Sequence, residues 1–137
     1  MQLTGVIPPI CTPFEDATVD RTILNPLVMI ASDGAIGHPR EAGTFSRVLA
    51  RYVREQRSLS LMDAIEKMTL MPAKVLAAST PAAVRKGRLQ VGADADIVAF
   101  DPQQIADKAT YSQTSLPSVG MRFVIVHGDV IIAVSAG

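Results

Sequence analysis

A short apolar run that stops at an acidic residue constrains this chain more than any other stretch. Leu27 to Ala31 are all apolar, and Ser32, Asp33 and Gly34 follow directly. The run is typical of a buried strand, and the Ser-Asp-Gly triplet predicts a tight turn after it. Many α/β enzymes place catalytic groups at the carboxyl ends of buried strands. We therefore expect Asp33 to lie in a turn at one end of a sheet, although an Asx-type structural turn would use the same residues.

A compact polar cluster follows in the loop at residues 35–43, and it contains His38, Pro39, Arg40 and Glu41. An arginine beside a catalytic carboxylate could bind a substrate carboxylate through two parallel hydrogen bonds. The alternative is a surface charge in a loop. His38 could also contact a substrate, or it could simply be a polar surface residue. Arg40 and His38 are thus candidate substrate-binding residues.

The size and charge of the chain exclude several classes. Its 137 residues suffice for one ordinary core but not for a complete (β/α)₈ barrel, which needs about 250 residues. The 13 basic residues balance the 13 acidic ones, so the charge predicts no nucleic-acid partner. Hydrophobic residues make up 48% of the sequence, which indicates either a well-buried core or an apolar face that packs on something else.

Targeting signals and the cysteine count limit the cellular locations expected for this chain. No apolar run approaches the roughly 18 residues of a membrane helix, so we expect no membrane partner. The start of the chain lacks the pattern of a secretory signal peptide. Cys11 is the single cysteine, which excludes an internal disulfide. A cytoplasmic location is the default expectation.

Helices are predicted after the polar loop. Thr44 is a reasonable N-cap, and apolar residues then recur at helical spacing. Ser60 and Asp63 resemble a capping box that opens a second helix, and Pro72 should break or restart it. The predicted buried stripe of the first helix consists of Phe45, Val48, Leu49, Tyr52 and Val53.

Short strands are predicted beyond a linker at Thr80 and Pro81. Residues 95–100 and 123–126 are rich in β-forming side chains, and the Gly128-Asp129 pair predicts a hairpin into residues 130–132. The polar residues 103–119 are expected to cross between strands as a loop.

The N-terminal stretch from Leu3 to Phe14, continued by Asp16 to Asp20, resembles the opening of the dihydrodipicolinate synthase family of lyases and aldolases. The resemblance covers about residues 1–22 and implies an extended segment corresponding to a first barrel strand. The chain's lysines, however, lie in helical or polar segments, so no Schiff-base residue is transferred. A lyase of this type is therefore the weaker alternative function.

The rest of the chain, residues 23–137, closely resembles the C-terminal portion of N-acyl-D-amino-acid deacylases, which are metal-dependent amidohydrolases. The resemblance implies a last barrel strand with two or three helices over residues 23–80 and a small β-sandwich-like segment over residues 81–137. It implies an α/β fold that forms the end of a partial (β/α) barrel. The matching motifs are Ala31-Ser-Asp-Gly34, His38-Pro-Arg40, Gly43-Thr-Phe-Ser-Arg-Val-Leu49, Tyr52-Val-Arg-Glu55 and Gly87-Arg-Leu-Gln-Val-Gly-Ala-Asp-Ala-Asp96-Ile-Val-Ala-Phe-Asp101.

This resemblance implies that Asp33 is the acid and base of amide hydrolysis, beside a zinc ion that the complete family enzyme carries. The sequence has two histidines and no His-x-His pair, while catalytic zinc generally needs three protein ligands. We therefore assign no metal ligand and expect no cofactor in this chain, which we interpret as an amidohydrolase piece joined to a foreign first strand. Whether such a fusion is natural or artificial is left open.

Two functions from different classes remain. The chain could contribute Asp33 to the hydrolysis of N-acyl-D-amino acids, with a small-molecule N-acyl amino acid as its ligand and the missing half of the barrel as its partner. Alternatively, it is an inactive truncated domain that binds a partner or itself. Unpaired sheet edges favour homo-oligomers.

Overall fold

A computed structural model describes residues 16–34 and 36–134 of the chain. The predicted N-terminal strand and Cys11 lie outside these residues. None of the described helices is long and apolar enough to span a bilayer. In chain order the elements are α1 (Asp16–Leu24), α2 (Arg40–Arg47), a π-helical segment (Val48–Glu55), α3 (Leu61–Met68), α4 (Leu70–Leu76), a 3₁₀ helix (Pro81–Arg85), β1 (Ile97–Phe100), β2 (Met121–Val126) and β3 (Asp129–Ala133).

Helix α1 occupies residues that the sequence interpretation assigned to an extended segment. The extended segment was expected to reach residue 22, whereas the chain is helical from Asp16 to Leu24. Ile23 packs against the central core from this helix, and the carboxylate of Asp20 accepts a hydrogen bond of 2.7 Å from the hydroxyl of Tyr52. These contacts to distant residues stabilise the helix, and local sequence does not reveal them.

Helix α2 begins four residues before the predicted N-cap. Thr44 lies inside the helix, and its hydroxyl donates to the carbonyl of Arg40 at 2.8 Å. The helix starts earlier because the backbone N–H of Gly43 already donates to the carbonyl of Pro39 at 3.1 Å. Phe45, which was expected in the buried stripe, is 43% exposed.

The core forms where the π-helical segment packs against α3 and against Ile30. Ile105 from the predicted polar loop is 1% exposed and fills its centre. The predicted stripe is otherwise confirmed, since three of its members are buried and Val53 packs against them. The buried cluster consists of Ile30, Val48, Leu49, Tyr52, Ala64 and Ile105.

The start of α3 is confirmed, whereas the break expected at Pro72 occurs at Thr69, three residues earlier. Ser60 is the N-cap of α3, and its hydroxyl oxygen accepts the backbone N–H of Asp63 at 3.1 Å. The Ser60 hydroxyl also donates to the Asp63 carboxylate at 2.7 Å, so Asp63 closes the capping box through a side-chain contact. The chain breaks at Thr69, after which α4 contains Pro72 in its first turn.

The predicted hairpin is confirmed, with its turn one residue earlier than expected. β1, β2 and β3 form one antiparallel sheet in that order. Val126 pairs with Asp129, so the two turn residues are His127 and Gly128. Both have positive φ angles, 52° and 89°, as a tight two-residue turn between twisted strands requires.

The apolar run before Asp33 is not a strand in the described part of the chain. Residues 28–34 are irregular, and no described strand pairs with them. A strand is defined by a ladder of hydrogen bonds to a neighbour, whereas Ile30 donates its N–H to the carbonyl of Lys67 at 3.0 Å, at the end of α3. The partial barrel and the division into three segments therefore stay predictions.

Candidate functional site

The predicted catalytic and binding residues are brought together by an ion pair. Arg40 Nη2 lies 3.2 Å from Asp33 Oδ2. The side chain of Asp33 is 84% exposed and that of Arg40 is 31% exposed, so the carboxylate stands in solvent while the guanidinium is largely covered. Asp33 has a φ of 43°, a left-handed conformation that Asp tolerates better than most residues. The tight turn predicted at Ser32, Asp33 and Gly34 is not formed in the described part of the chain, where this stretch is irregular.

His38 joins the same site through both ring nitrogens. Its Nδ1 accepts the backbone N–H of Arg40 at 3.1 Å, so a neutral ring carries its proton on Nε2. That Nε2 lies 3.4 Å from the hydroxyl of Tyr111. The rings of His38 and Tyr111 meet edge to face, with centroids 5.2 Å apart and planes at 79°.

Tyr111 is the residue that the sequence interpretation missed. It lies in the loop between β1 and β2, more than 70 residues from His38 in the chain. The one available signal was its type, since it is the sole aromatic residue in the polar stretch 103–119. Only the tertiary fold brings it to His38.

Lys67 and Asn25 organise the chain just before Asp33. Lys67 is 4% exposed, and its ammonium group donates to the carbonyl of Val28 at 2.9 Å and to that of Asn25. Asn25 shapes the turn itself, since its side-chain oxygen accepts the N–H of Leu27 at 2.9 Å and its carbonyl accepts the N–H of Val28 at 3.1 Å. The approach to Asp33 is therefore tied to α3.

Arg40 has spare capacity as a hydrogen-bond donor. Its Nε is buried and has no partner among the described residues. A guanidinium presents five N–H donors and pairs with carboxylates through two at a time. Arg40 can therefore gain from a second anionic or carbonyl ligand, provided that the surrounding side chains shift to expose it.

The described residues do not by themselves fit a zinc site. Among residues 16–34 and 36–134, no group of three or more His, Cys, Asp or Glu side chains could hold a metal ion. The second histidine, His127, lies in the β2–β3 turn, where its backbone N–H donates to Asp96 Oδ1 at 2.9 Å. Three ligands of the kind that catalytic zinc uses are therefore not assembled here.

A cluster of ion pairs stabilises residues 85–96, the glycine-containing segment before β1. The ammonium of Lys86 lies 3.0 Å from Asp94 Oδ2 and also contacts Asp96, while Arg85 Nε lies 2.9 Å from Asp94 Oδ1. Hydrogen bonds from Lys86 lower the pKa of both carboxyls, and the same bonds raise the pKa of Lys86. These contacts join the 3₁₀ helix to the start of the sheet, away from Asp33.

A separate apolar groove of about 640 Å³ lies between α2 and the sheet. Phe45, Val124 and Ile132 are among its lining residues, whereas Asp33, His38 and Arg40 are not. The candidate site is thus the cluster of Asp33, Arg40, His38 and Tyr111 at the start of α2, and this groove is a different feature of the surface.

The chain belongs to the amidohydrolase family, since a family model for amidohydrolases matches residues 18–132. Two similar proteins from Alcaligenes xylosoxydans xylosoxydans are an N-acyl-D-glutamate deacylase and an N-acyl-D-aspartate deacylase. Each is 42% identical over 118 residues, which are 83% of this chain and 23% of the relative. The expected resemblance to N-acyl-D-amino-acid deacylases is confirmed.

Solved structures give the same result. The N-acyl-D-glutamate deacylase of Bordetella bronchiseptica, complexed with zinc and a phosphonate inhibitor, superposes with a TM-score of 0.78 at 41% identity, covering 86% of this chain and 25% of that one. A D-aminoacylase superposes with a TM-score of 0.79 at 33% identity, covering 88% of this chain and 25% of the other. The chain thus spans about a quarter of the length of these relatives.

The N-terminal boundary of the family match lies earlier in the chain than expected. The match begins at residue 18, inside α1 and before the boundary expected at residue 23. Asp20, which binds Tyr52, therefore belongs to the amidohydrolase part. The resemblance of the preceding residues to dihydrodipicolinate synthases stays unconfirmed.

Proposed function

We propose that this chain contributes to the hydrolysis of N-acyl-D-amino acids, with Asp33 as the acid and base and with Arg40 and His38 as substrate-binding residues. The observation that carries the proposal is the ion pair between Arg40 and an 84% exposed Asp33. Support also comes from relatives whose names specify deacylation of N-acyl-D-glutamate and N-acyl-D-aspartate.

Amide hydrolysis needs one group that first accepts and then returns a proton. Asp33 takes a proton from the attacking water, whose oxygen bonds to the amide carbon. The C–N bond then breaks, and Asp33 returns the proton to the leaving nitrogen. The products are a carboxylate and a free D-amino acid. High exposure suits Asp33 to this role because water and substrate can both reach it.

Arg40 and His38 supply the means to orient the substrate. A D-amino acid carries an α-carboxylate, and its acidic members carry a second one, so a guanidinium beside the acid–base residue has a matching ligand. His38 holds the N–H at the start of α2, and a substrate carbonyl or carboxylate can accept its Nε2 proton by displacing the hydroxyl of Tyr111. Tyr111 keeps that ring oriented.

Zinc is part of a solved relative, but the described residues of this chain do not assemble a ligand set for it. No step of the proposed chemistry is therefore assigned to a metal. Any ligands would have to come from residues outside the described ranges or from another chain.

The test is hydrolysis of N-acetyl-D-glutamate and N-acetyl-D-aspartate, with and without added zinc and with bound metal quantified. Asp33→Asn should abolish turnover, since an amide cannot accept the proton. Asp129→Asn is the matched control, because it makes the same chemical change at an exposed position in the β2–β3 hairpin. Equal turnover in the wild type and Asp33→Asn would exclude the proposed role. No turnover together with no substrate binding would favour the second candidate.

That second candidate is an inactive domain that associates with a second copy of itself through β3. All five residues of β3 are exposed, although four of them are apolar. The strand is at the edge of the sheet, where unpaired backbone groups can pair with another strand. An exposed apolar edge of this kind favours continuation of the sheet between two copies.

Light scattering during size-exclusion chromatography tests this association. Ile131, in the middle of β3, is 63% exposed, and Ile131→Lys should convert dimers or larger oligomers into monomers because a charged edge opposes strand pairing. Val91→Lys is the control, since Val91 is a fully exposed apolar residue outside the sheet. A wild-type monomer at high concentration would exclude self-association.

A further inference from the structure

Lys67 is a buried cation that the proposed chemistry does not use. It is 4% exposed, although lysine is almost never fully buried in proteins without a partner. Its partners among the described residues are two backbone carbonyls, those of Asn25 and Val28, and no carboxylate. A buried ammonium is costly to desolvate, so this arrangement needs a structural or functional reason.

The position of the two carbonyls indicates that reason. Both belong to the turn at residues 25–28, which directly precedes the run to Asp33. The backbone carbonyl of Lys67 also accepts the N–H of Ile30 at 3.0 Å, and Ile30 is itself 8% exposed in the core. One residue of α3 therefore holds the chain at three points, and the last of them is three residues before Asp33.

This short tether limits where Asp33 can lie. Three residues of extended chain span at most about 10 Å, so the backbone position of Asp33 depends on where Ile30 is fixed. In the described part of the chain no neighbouring strand holds residues 28–34. Hydrogen bonds to Lys67 tie this segment to α3 instead.

We propose that Lys67 is a positioning residue for Asp33, and that its ammonium and backbone carbonyl together fix the chain that carries the acid–base carboxylate. The proposal rests on the proposed function for the role of Asp33, but the anchoring itself does not. Lys67 acts through residues 25–30 and touches neither Asp33 nor substrate.

Amide hydrogen exchange, resolved by residue in the whole chain, tests the anchoring without requiring turnover. Lys67→Met keeps the length of the side chain but removes the charge, so the carbonyls of Asn25 and Val28 lose their donor. Exchange at Ile30 should accelerate at least about tenfold, while exchange in β2 stays unchanged. The amide shifts of Asp33 and Gly34 should move as well.

Two further variants separate positioning from general stability. Lys67→Arg retains a cation and should restore part of the protection at Ile30, which a role limited to apolar packing would not do. Lys74→Met is the matched control, because Lys74 lies on α4 with its side chain 60% exposed, and it should leave residues 28–34 unchanged. Parallel acceleration of exchange at Ile30 and throughout the sheet in Lys67→Met would overturn the proposal, as would no acceleration at all.

The wild-type chain supplies a test if Lys67→Met does not fold. The N–H of Ile30 should then exchange as slowly as the N–H of Ala64, which is bonded within the start of α3 to the carbonyl of Ser60. Free exchange at Ile30 beside a protected α3 would overturn the anchoring. If the anchoring holds and Asp33→Asn leaves turnover unchanged, the proposed function fails and the structural tie remains.

Discussion

Arg40 Nη2 lies 3.2 Å from Asp33 Oδ2, so the residue proposed to bind a substrate carboxylate is already paired with the residue proposed to move the proton. A substrate carboxylate must therefore compete with Asp33 for the guanidinium. Because the Asp33 carboxylate is 84% exposed, solvent screens this ion pair, and solvent-screened pairs typically contribute only about 0.2–1 kcal/mol. Substrate that brings two oxygens to Arg40 can displace this contact.

Arg40→Gln should weaken binding of N-acetyl-D-glutamate. The glutamine amide carries no charge and cannot form the paired N–H contacts of a guanidinium, so the Kd measured by calorimetry should rise about tenfold or more. Arg21→Gln makes the same change at an exposed position of α1 and should leave the Kd unaltered. An equal loss in both variants would point to a general charge effect.

Asp33→Asn should change binding in the opposite direction from Arg40→Gln. Removing the carboxylate frees the guanidinium of Arg40 from its present partner. Binding of N-acetyl-D-glutamate should therefore tighten by about twofold to fivefold, which is the contribution of one exposed ion pair, while turnover is lost. Weaker binding in Asp33→Asn would mean that Asp33 itself holds the ligand.

The parts of the site that were predictable are those with a local signature. The Ser60 cap followed from its spacing to Asp63, whereas the Ser-Asp-Gly triplet predicted a turn that the irregular stretch at residues 28–34 does not form. The cluster around His38 was not predictable, because Tyr111 reaches it from a loop remote in sequence. The contacts of Lys67 were equally unpredictable. A helical sequence pattern does not indicate that the side chain of Lys67 turns inward to the backbone carbonyls of residues 25 and 28.

In the fold, too, elements with a local sequence pattern were predictable, whereas elements fixed by tertiary contacts were not. β-forming residues and the Gly128-Asp129 pair predicted the β2–β3 hairpin, whose pairing is local in sequence, whereas β1 pairs with β2 across the long loop at residues 101–120. The start of α2 was misjudged because the backbone N–H of Gly43 already bonds to the carbonyl of Pro39. The helix at residues 16–24 was missed because a tertiary contact, that between Asp20 and Tyr52, overrode local preference. Ile105 reads as part of a polar loop but is 1% exposed, since its neighbours in space come from the π-helical segment and α3.

Tyr52→Phe should destabilise the chain by an amount that depends on pH. Burial raises the pKa of Tyr52 to about 12, and the hydrogen bond to Asp20 adds to the effect. The variant loses that bond, so the free energy of unfolding should fall by about 1–2 kcal/mol at neutral pH.

The stability that Tyr52 contributes depends on pH because its hydroxyl has a different pKa in the folded and the unfolded chain. Below about pH 10 both the folded and the unfolded chain keep the Tyr52 proton, and the stabilisation is fully present. Between about pH 10 and 12 the unfolded chain releases the proton while the folded chain retains it, so the wild type loses stability. The difference from Tyr52→Phe, measured by urea unfolding, should therefore shrink toward pH 12. A constant difference would contradict the ionisation argument.

Gly120→Ala should destabilise the chain far more than Gly92→Ala, although both glycines have φ angles near 84°. A Cβ at Gly120 would lie 2.6 Å from the carbonyl carbon of Gln104 and would press on the backbone of Ile105, which fills the core. A Cβ at Gly92 would meet nothing within 4 Å. We expect losses of about 3 kcal/mol or more for Gly120→Ala and about 1 kcal/mol for Gly92→Ala, where only the left-handed backbone is strained. Thermal and urea unfolding measure both, and equal losses would mean that the loop at Ile105 can move away from β2.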